Sequence, residues 1–334
     1  MRYTGRMGGI WMIDKRYTGA RITALRKEKG YSQAAFAEII GVSPQAISKW
    51  ETGLALPDVD LLLALSHMFH VTINEILEGD DAIRRIANRP YEMDGIAYFV
   101  PRTEKSGNVE WARSIVRDGW VKRNWVERKR HSTWGAEPAR RIVGHGGLIL
   151  EIGTGPGGGY MPPILMQKSD ARIILSDLSP TVVLEWKRLF DGEFYPPNVL
   201  YAALDNCDLP FQDNSIDVVS SSGGFGNTEG DHQQALREIY RVLKPSGLYV
   251  NGDGFVTQDT LKRFPAEVQR VLMIRHPDIF EDYYETSVAA GFRKIDTVVS
   301  GGWSTKDDES HVADLARELG IEIVFTSYVR YCVK

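Results

Sequence analysis

The stretch "EIGTGPGGG", residues 151–159, decides how the rest of the chain is read. It follows the apolar run Leu148-Ile149-Leu150 and precedes a helix-like segment, so it has the place of a strand-to-helix loop. Glycine at almost every second position lets backbone approach a ligand, because no Cβ stands in the way. Two ligand classes fit the spacing. Gly153, Gly155 and Gly158 make G-x-G-x-x-G, which can cradle a dinucleotide pyrophosphate. Glu151, Gly153, Gly155 and Gly157 make E-x-G-x-G-x-G, which suits a ligand without phosphate.

From Gly147 onward, strand and helix patterns alternate. "LILEI", "ARIILSD", "VLYAALD", "IDVVSSSG" and "GLYVNGD" read as strands, and "SPTVVLEWKRLF" and "DHQQALREIYRVLKPSG" as helices. That rhythm predicts a parallel sheet covered on both faces, with its ligand at the carboxyl ends of the strands. Asp177 closes the second strand, where either ligand would need an acid for ribose hydroxyls. "LDNCDLPFQDNSIDVV" then puts Asp205 after the third strand, followed by Leu209-Pro210-Phe211, Asp213 and Asp217. With "REIYRVLKPSGLYV" these motifs cover residues 147–254. They resemble the class I S-adenosylmethionine-dependent methyltransferases, in particular the quinone-biosynthesis-like group.

That resemblance implies a Rossmann-like, seven-stranded doubly wound sheet over 147–334. "FRKIDTVVSGGW" and "IEIVFTSYVRYCVK" would be its last two strands, the final one antiparallel. It implies S-adenosylmethionine as cofactor. Gly153 and Gly155 would pass the methionine portion, and Glu151 would organise its amino group directly or through water. Asp177 would take the ribose hydroxyls, Leu178 would press on adenine, and Asp205 and the Asn206 backbone would meet the adenine edge. A pocket lined by Glu151, Asp177 and Asp205 suits a cationic sulfonium and repels a pyrophosphate, which decides between the two glycine readings.

Residues 20–81 read as an all-α bundle of five short helices. Ser32 and Ser43 are N-cap candidates, Pro44 suits a first helical position, and Gly30, Gly41 and Gly53 are stops. "LRKEKGYSQ", "GVSPQAISKWETG" and "LALSHMFHVTINEIL" resemble, in order, the Cro/repressor-type (XRE) helix-turn-helix family. The resemblance implies a third helix in the DNA major groove. Gln45, Ser48 and Lys49 would reach bases or flanking phosphates, with Gln33 and Ser43 on the backbone. It also implies a homodimer on a double-stranded operator. Lys15, Arg16, Arg21, Arg26, Lys27 and Lys29 cluster near the first helix as candidate phosphate partners.

The 334 residues allow two or three domains. The net charge of −4 is uneven: residues 1–81 hold nine Lys and Arg against ten Asp and Glu, residues 82–146 fourteen against seven, and residues 147–334 seventeen against twenty-seven. Residues 1–19, with "RYTG" at 2–5 and again at 16–19, read as an N-terminal extension. Residues 82–146 read as a connector holding Trp111, Trp120, Trp125 and Trp134, either a helical lid over the acceptor pocket or a packed spacer. No apolar run approaches the ~18 residues of a membrane span, and no secretory leader is evident. Cys207 and Cys332 lie far apart and make no metal spacing, so a reduced, cytoplasmic protein is expected.

The acceptor is expected to be a small molecule. DNA amino-methyltransferases need [D/N/S]-P-P-[Y/F/W] after the fourth strand, where this chain has "SSSGGFGNTEGDH". His232 is a candidate general base with Asp231 beside it, or Asp231 merely caps a helix and His232 is spectator; Tyr160 is a further candidate. Two functions stay open: a DNA-binding regulator fused to a working small-molecule methyltransferase, or a regulator whose methyltransferase-like domain senses a metabolite without turnover.

Overall fold

The computed structural model describes all residues except 1–2, 8–9, 14, 70, 72, 78–86, 88–90, 132, 134, 195, 197 and 308–310. Trp134 and the expected boundary between residues 81 and 82 lie outside the described residues. Strands β1 (Tyr3–Met7) and β2 (Ile10–Ile13) pair antiparallel ahead of the helical bundle.

The bundle comprises α1 (Lys15–Glu28), α2 (Gln33–Ile40), α3 (Pro44–Glu51), α4 (Val59–Phe69) and α5 (Ile73–Leu77). Ser32 Oγ accepts from Ala35 N at 3.1 Å and Ser43 Oγ from Ala46 N at 3.2 Å, so both expected caps close their helices. Ile22, Phe36, Ile47, Trp50, Leu65 and Ile76 fill the core. Helix α1 takes in the second "RYTG" copy. Tyr17 and Thr18 are buried, Thr18 Oγ1 donates to Leu77 O at 3.2 Å, and any Cβ on Gly19 would stand 2.2 Å from Trp50 O. That copy is thus the contact that seats α1 on α3 and α5.

Beyond the bundle lies one sheet of nine strands in the order β10-β11-β9-β8-β5-β6-β7-β4-β3. Strands β5 (Leu148–Glu151), β6 (Arg172–Asp177), β7 (Val199–Ala203), β8 (Ile216–Ser222) and β9 (Leu243–Phe255) run parallel. Strand β11 (Val324–Val333) inserts antiparallel between β9 and β10 (Lys294–Ser304). These seven make the expected sheet, with the last strand antiparallel. The other two come from residues 82–146, where the sequence reading placed a helical connector or lid and no strand. Strands β3 (Tyr91–Met93) and β4 (Ile96–Tyr98) form a hairpin, and β4 runs parallel to β7. Buried Ile96, Ala97 and Tyr98 thereby cover a sheet edge that would otherwise be open to pairing.

The connector continues as α6 (Val109–Arg117), α7 (Trp120–Arg130) and α8 (Ala136–His145). These pack on one face of the sheet with α9 (Met161–Gln167) and α10 (Pro180–Leu189), and α11 (His232–Val242) covers the other. Trp125 is core, edge-on to Trp186 and Phe190, whereas Trp111 is about one third exposed, at 37%. No helix among the described residues is long and apolar enough to cross a membrane.

The bundle meets the sheet at the amino ends of the strands. Arg21 Nη1 donates to Asn198 Oδ1 at 2.6 Å, both residues being buried, and Asn198 leads directly into β7.

Candidate functional site

At the opposite, carboxyl ends of the strands, the 151–159 loop is gripped from beneath. Glu151 is wholly buried at the end of β5. Its Oε1 accepts from Tyr160 N at 2.9 Å and its Oε2 from Ser220 Oγ, while its backbone oxygen accepts from Ser176 Oγ at 2.7 Å. Burial raises this carboxyl to about 7, against the hydrogen bonds from Ser220 and Tyr160. With both oxygens engaged inside the protein, Glu151 holds the loop rather than facing an open cleft. A Cβ on Gly159 would fall 1.8 Å from Glu151 Oε1, so the carboxylate and the glycine are one fitted piece.

Gly153 and Gly155 both have φ of 55°, in the left-handed region that side chains disfavour. A Cβ on Gly153 would lie 2.8 Å from Gly224 Cα, which brings the turn after β8 against the glycine loop. Asp177, 8% exposed at the end of β6, ties the loop to the next one: Oδ2 accepts from Gly155 N and Oδ1 from Ser179 N, each at 2.8 Å. Burial raises its carboxyl to about 6, opposed by those two N–H groups. Leu178 beside it is half-buried. Asp205 Oδ1 accepts from Cys207 N at 2.8 Å, and Asn206 Nδ2 donates to Thr228 Oγ1 at 3.3 Å, so both stand on the turn after β7, facing the turn after β8. The seven expected cofactor residues therefore line the ends of three adjacent strands, with Glu151 beneath the others.

On the far side of the β8 turn, Asp231 caps α11 by accepting from Gln233 N at 2.8 Å. His232 is half-buried, stacked on Tyr283 with ring centres 4.9 Å apart, and its Nε2 lies 3.3 Å from Tyr283 Oη. Asp231 thus caps, and His232 belongs to an aromatic cluster. Tyr160 is buried, and its hydroxyl occupies the space where a Cβ on Gly252 would be. Burial first and the nearby Glu151 second hold that hydroxyl protonated, well above the usual phenol range.

In the bundle, Gln45 and Lys49 are exposed on α3, Ser48 is half-buried on the same helix, and Ser43 is exposed at its cap. Gln33 is exposed too, with Nε2 donating to Glu51 Oε2 at 2.7 Å. Arg21 and Arg26 of the clustered cations are engaged within the fold. Arg26 forms a paired fork on Glu51, with Nη2 to Oε2 at 3.0 Å, and donates to Tyr31 O; Arg21 is turned to Asn198. Both arginines are 7% exposed and hold the fold, not a phosphate.

Comparison with known proteins follows the same division. A family model described as a helix-turn-helix matches residues 22–76, and one described as a methyltransferase domain matches residues 150–251. The chain joins a helix-turn-helix domain to a methyltransferase domain. The HTH-type transcriptional activator BcrR of Enterococcus faecalis is 41% identical over 63 residues, which are 19% of this chain and 31% of that protein. The ubiquinone/menaquinone biosynthesis C-methyltransferase UbiE of Rickettsia felis is 29% identical over 157 residues, 45% of this chain and 62% of that protein. The chain therefore spans less than two thirds of either relative. Among solved structures, phosphoethanolamine N-methyltransferase 2 of Haemonchus contortus, in complex with S-adenosyl-L-methionine, is similar at 19% identity and a TM-score of 0.43, over 57% of this chain and 49% of that one.

Within the methyltransferase domain the two family motifs prove to be one clamp. Arg241 on α11 donates to Leu209 O and Phe211 O, each at 2.7 Å, while Glu238 Oε2 accepts from Leu209 N at 2.9 Å. The helix thus fixes the Leu209-Pro210-Phe211 turn just past Asp205. Residues that sequence reading missed include Trp186, whose Nε1 donates to Gly155 O at 2.8 Å, and Glu104 of the connector. Glu104 Oε1 accepts from Ser179 Oγ at 2.7 Å and Thr181 N at 3.0 Å, while Lys105 pairs with Glu229 at 2.8 Å. Residues 104–105 thereby bridge the loops after β6 and β8. Nothing local to "PRTEKSGN" announces such a strap.

Proposed function

We propose that this chain is a DNA-binding transcriptional regulator carrying a small-molecule methyltransferase that turns over. S-adenosylmethionine is the cofactor of its methyltransferase domain. The observation that carries the reading is the join made by Asp177 between the left-handed glycine loop and the Ser179 turn, with Asp205 on the neighbouring turn. An acidic site favours a sulfonium. In the reaction an acceptor atom attacks the methyl carbon in line, the C–S bond breaks, and its electron pair stays on sulfur. The protein contributes mainly alignment.

On this reading Gly153, Gly155, Asp177, Leu178, Asp205 and Asn206 line the donor site, and Glu151 positions the loop. Gln45, Ser48 and Lys49 would read the operator, with Gln33 and Ser43 at its backbone, in a homodimer. Titration of the full-length protein with S-adenosylmethionine tests the core of it. Binding that Asp177→Ala weakens by about tenfold or more supports the site, since a hydrogen-bonded ionised partner is worth about 1.5–3 kcal/mol. No binding to the folded wild type removes it.

A second reading is a metabolite-responsive regulator without turnover, and the buried Arg21–Asn198 bond favours it. That bond ties α1 directly to the base of β7, beside a cavity of about 460 Å³ lined by Arg21, Glu75, Lys168, Arg172 and Asn198. Operator affinity that shifts on donor addition, with no methylated product from quinone-like, phenolic or amine acceptors, would select this reading.

A further inference from the structure

Asp253, near the carboxyl end of β9, is a carboxylate set among aromatic rings. Its Oδ2 accepts from Gly226 N at 3.0 Å and its Oδ1 from Gly254 N at 2.8 Å. No ion pair to it forms among the described residues. Tyr328 faces it across the β9–β11 ladder, buried, with a hydroxyl that has no hydrogen-bond partner among the described residues. Phe225 is buried edge-on to Tyr283 at 5.1 Å and to His232 at 5.4 Å, and His232 stacks on Tyr283. Burial, and after it the Asp253 charge, keeps the Tyr283 and Tyr328 hydroxyls protonated far above the usual phenol range.

Arg330 offers this carboxylate no ion pair. It is committed to the 282–283 turn, donating to Asp282 O and lying 3.3 Å from Asp282 Oδ2, so it sets Tyr283 rather than neutralising Asp253. Tyr283 itself is held at a left-handed φ of 59°, a strain that recurs at binding sites. This cluster also adjoins the glycine loop. Within one short turn, Gly224 touches Gly153 while Gly226 donates to Asp253.

We propose that the methyl acceptor is an amine that is cationic in water, held between the Asp253 carboxylate and the rings of Phe225, His232 and Tyr283, while the Tyr328 ring already carries the Arg330 guanidinium at 4.7 Å. This rests on the reading of the domain as a working methyltransferase. The chemistry favours an amine over a phenol or a ring carbon. In amine methylation the carboxylate binds the incoming ammonium and takes its proton, and the positive charge then passes from sulfur to nitrogen, where the π-faces stabilise it. A phenolate would face Asp253 as a like charge, and a ring carbon brings no cation for it.

The ammonium first gives one proton to Asp253. The freed nitrogen pair then forms the N–C bond as the C–S bond breaks, leaving S-adenosylhomocysteine and a methylated ammonium, and Asp253 returns its proton to water. Half-burial allows that exchange, and burial raises the Asp253 carboxyl to about 6, against the Gly254 and Gly226 N–H groups and the His232 ring.

The test titrates full-length protein, saturated with S-adenosylhomocysteine, with tetramethylammonium chloride and with uncharged tert-butanol of similar size. The charged probe should bind at least about tenfold more tightly, and Asp253→Asn should cancel that preference while S-adenosylhomocysteine affinity stays within about twofold. Equal affinity for both probes, or tetramethylammonium binding indifferent to Asp253→Asn, overturns the proposal. Should the variant fail to fold, the wild-type preference decides alone. Absence of S-adenosylhomocysteine binding beside an Asp253-dependent cation site would instead remove the transfer reading, and the acceptor role with it.

Discussion

In the helix-turn-helix domain buried Arg26 is matched by a carboxylate, Glu51, whereas the methyltransferase domain buries Glu151 and Asp177, and half-buries Asp253, against N–H groups and hydroxyls alone. A matched pair satisfies itself and leaves nothing over for a ligand. A carboxylate lodged without a cation carries its desolvation cost into the folded state, and a cationic guest relieves it. The small domain therefore keeps its outward groups for recognition, and the large one keeps unneutralised charge inside.

The comparison breaks most visibly at the pair itself. Glu51→Ala leaves Arg26 buried without its counter-charge, which should cost the bundle about 3–5 kcal/mol. Denaturant unfolding should show the bundle melting early and operator binding lost, with donor affinity intact; an unchanged transition would mean the pair is ornamental. Gly153→Val meets both a left-handed backbone and the Gly224 backbone, for a loss of about 2–4 kcal/mol. Here donor titration should go flat while the bundle keeps its DNA affinity.

A subtler effect separates the domains by pH. Glu151, Asp177 and Asp253 rise from ordinary values of 4.5, 3.8 and 3.8 to about 7, 6 and 6, so each holds its proton more tightly folded than unfolded. The folded state binds more protons between about pH 4 and pH 7, and stability therefore falls as pH rises through that window, then levels off. Thermal unfolding of the methyltransferase domain should be lower at pH 8 than at pH 5, and Glu151→Gln should flatten the difference. A rise toward pH 8 would contradict the burial of these groups. Smallest is Lys49→Ala, which should weaken all DNA sequences nearly alike and lower the salt-dependence slope by about one; loss confined to one base position would make Lys49 a base reader instead.

Local chemistry made much of this legible. Serine caps, glycine stops and Pro44 mark the bundle because each acts within four residues of itself, and the glycine loop declares its strand and helix on either side. The β3–β4 hairpin was also written down, in the Asp94-Gly95 pair with φ of 52° and 73°, a turn signal flanked by short apolar runs. The basic, tryptophan-rich surroundings masked it. What local chemistry does not carry is assembly at a distance. Asp253, Tyr283, Phe225 and Tyr328 come from four segments, and only the closing of β9 against β11 makes them neighbours. Arg21 and Arg26 looked like phosphate partners because sequence shows a charge without showing its exposure.

The Arg21–Asn198 bond has one more consequence. It seats the bundle at the amino end of β7, whose five residues span about 17 Å before the donor end is reached. On the proposed reading, the donor at Asp177 would therefore lie at the opposite ends of the strands from the point where the bundle is attached. Whatever passes between them is thermodynamic reciprocity: the factor by which the donor changes the grip on DNA is the factor by which DNA changes the grip on the donor.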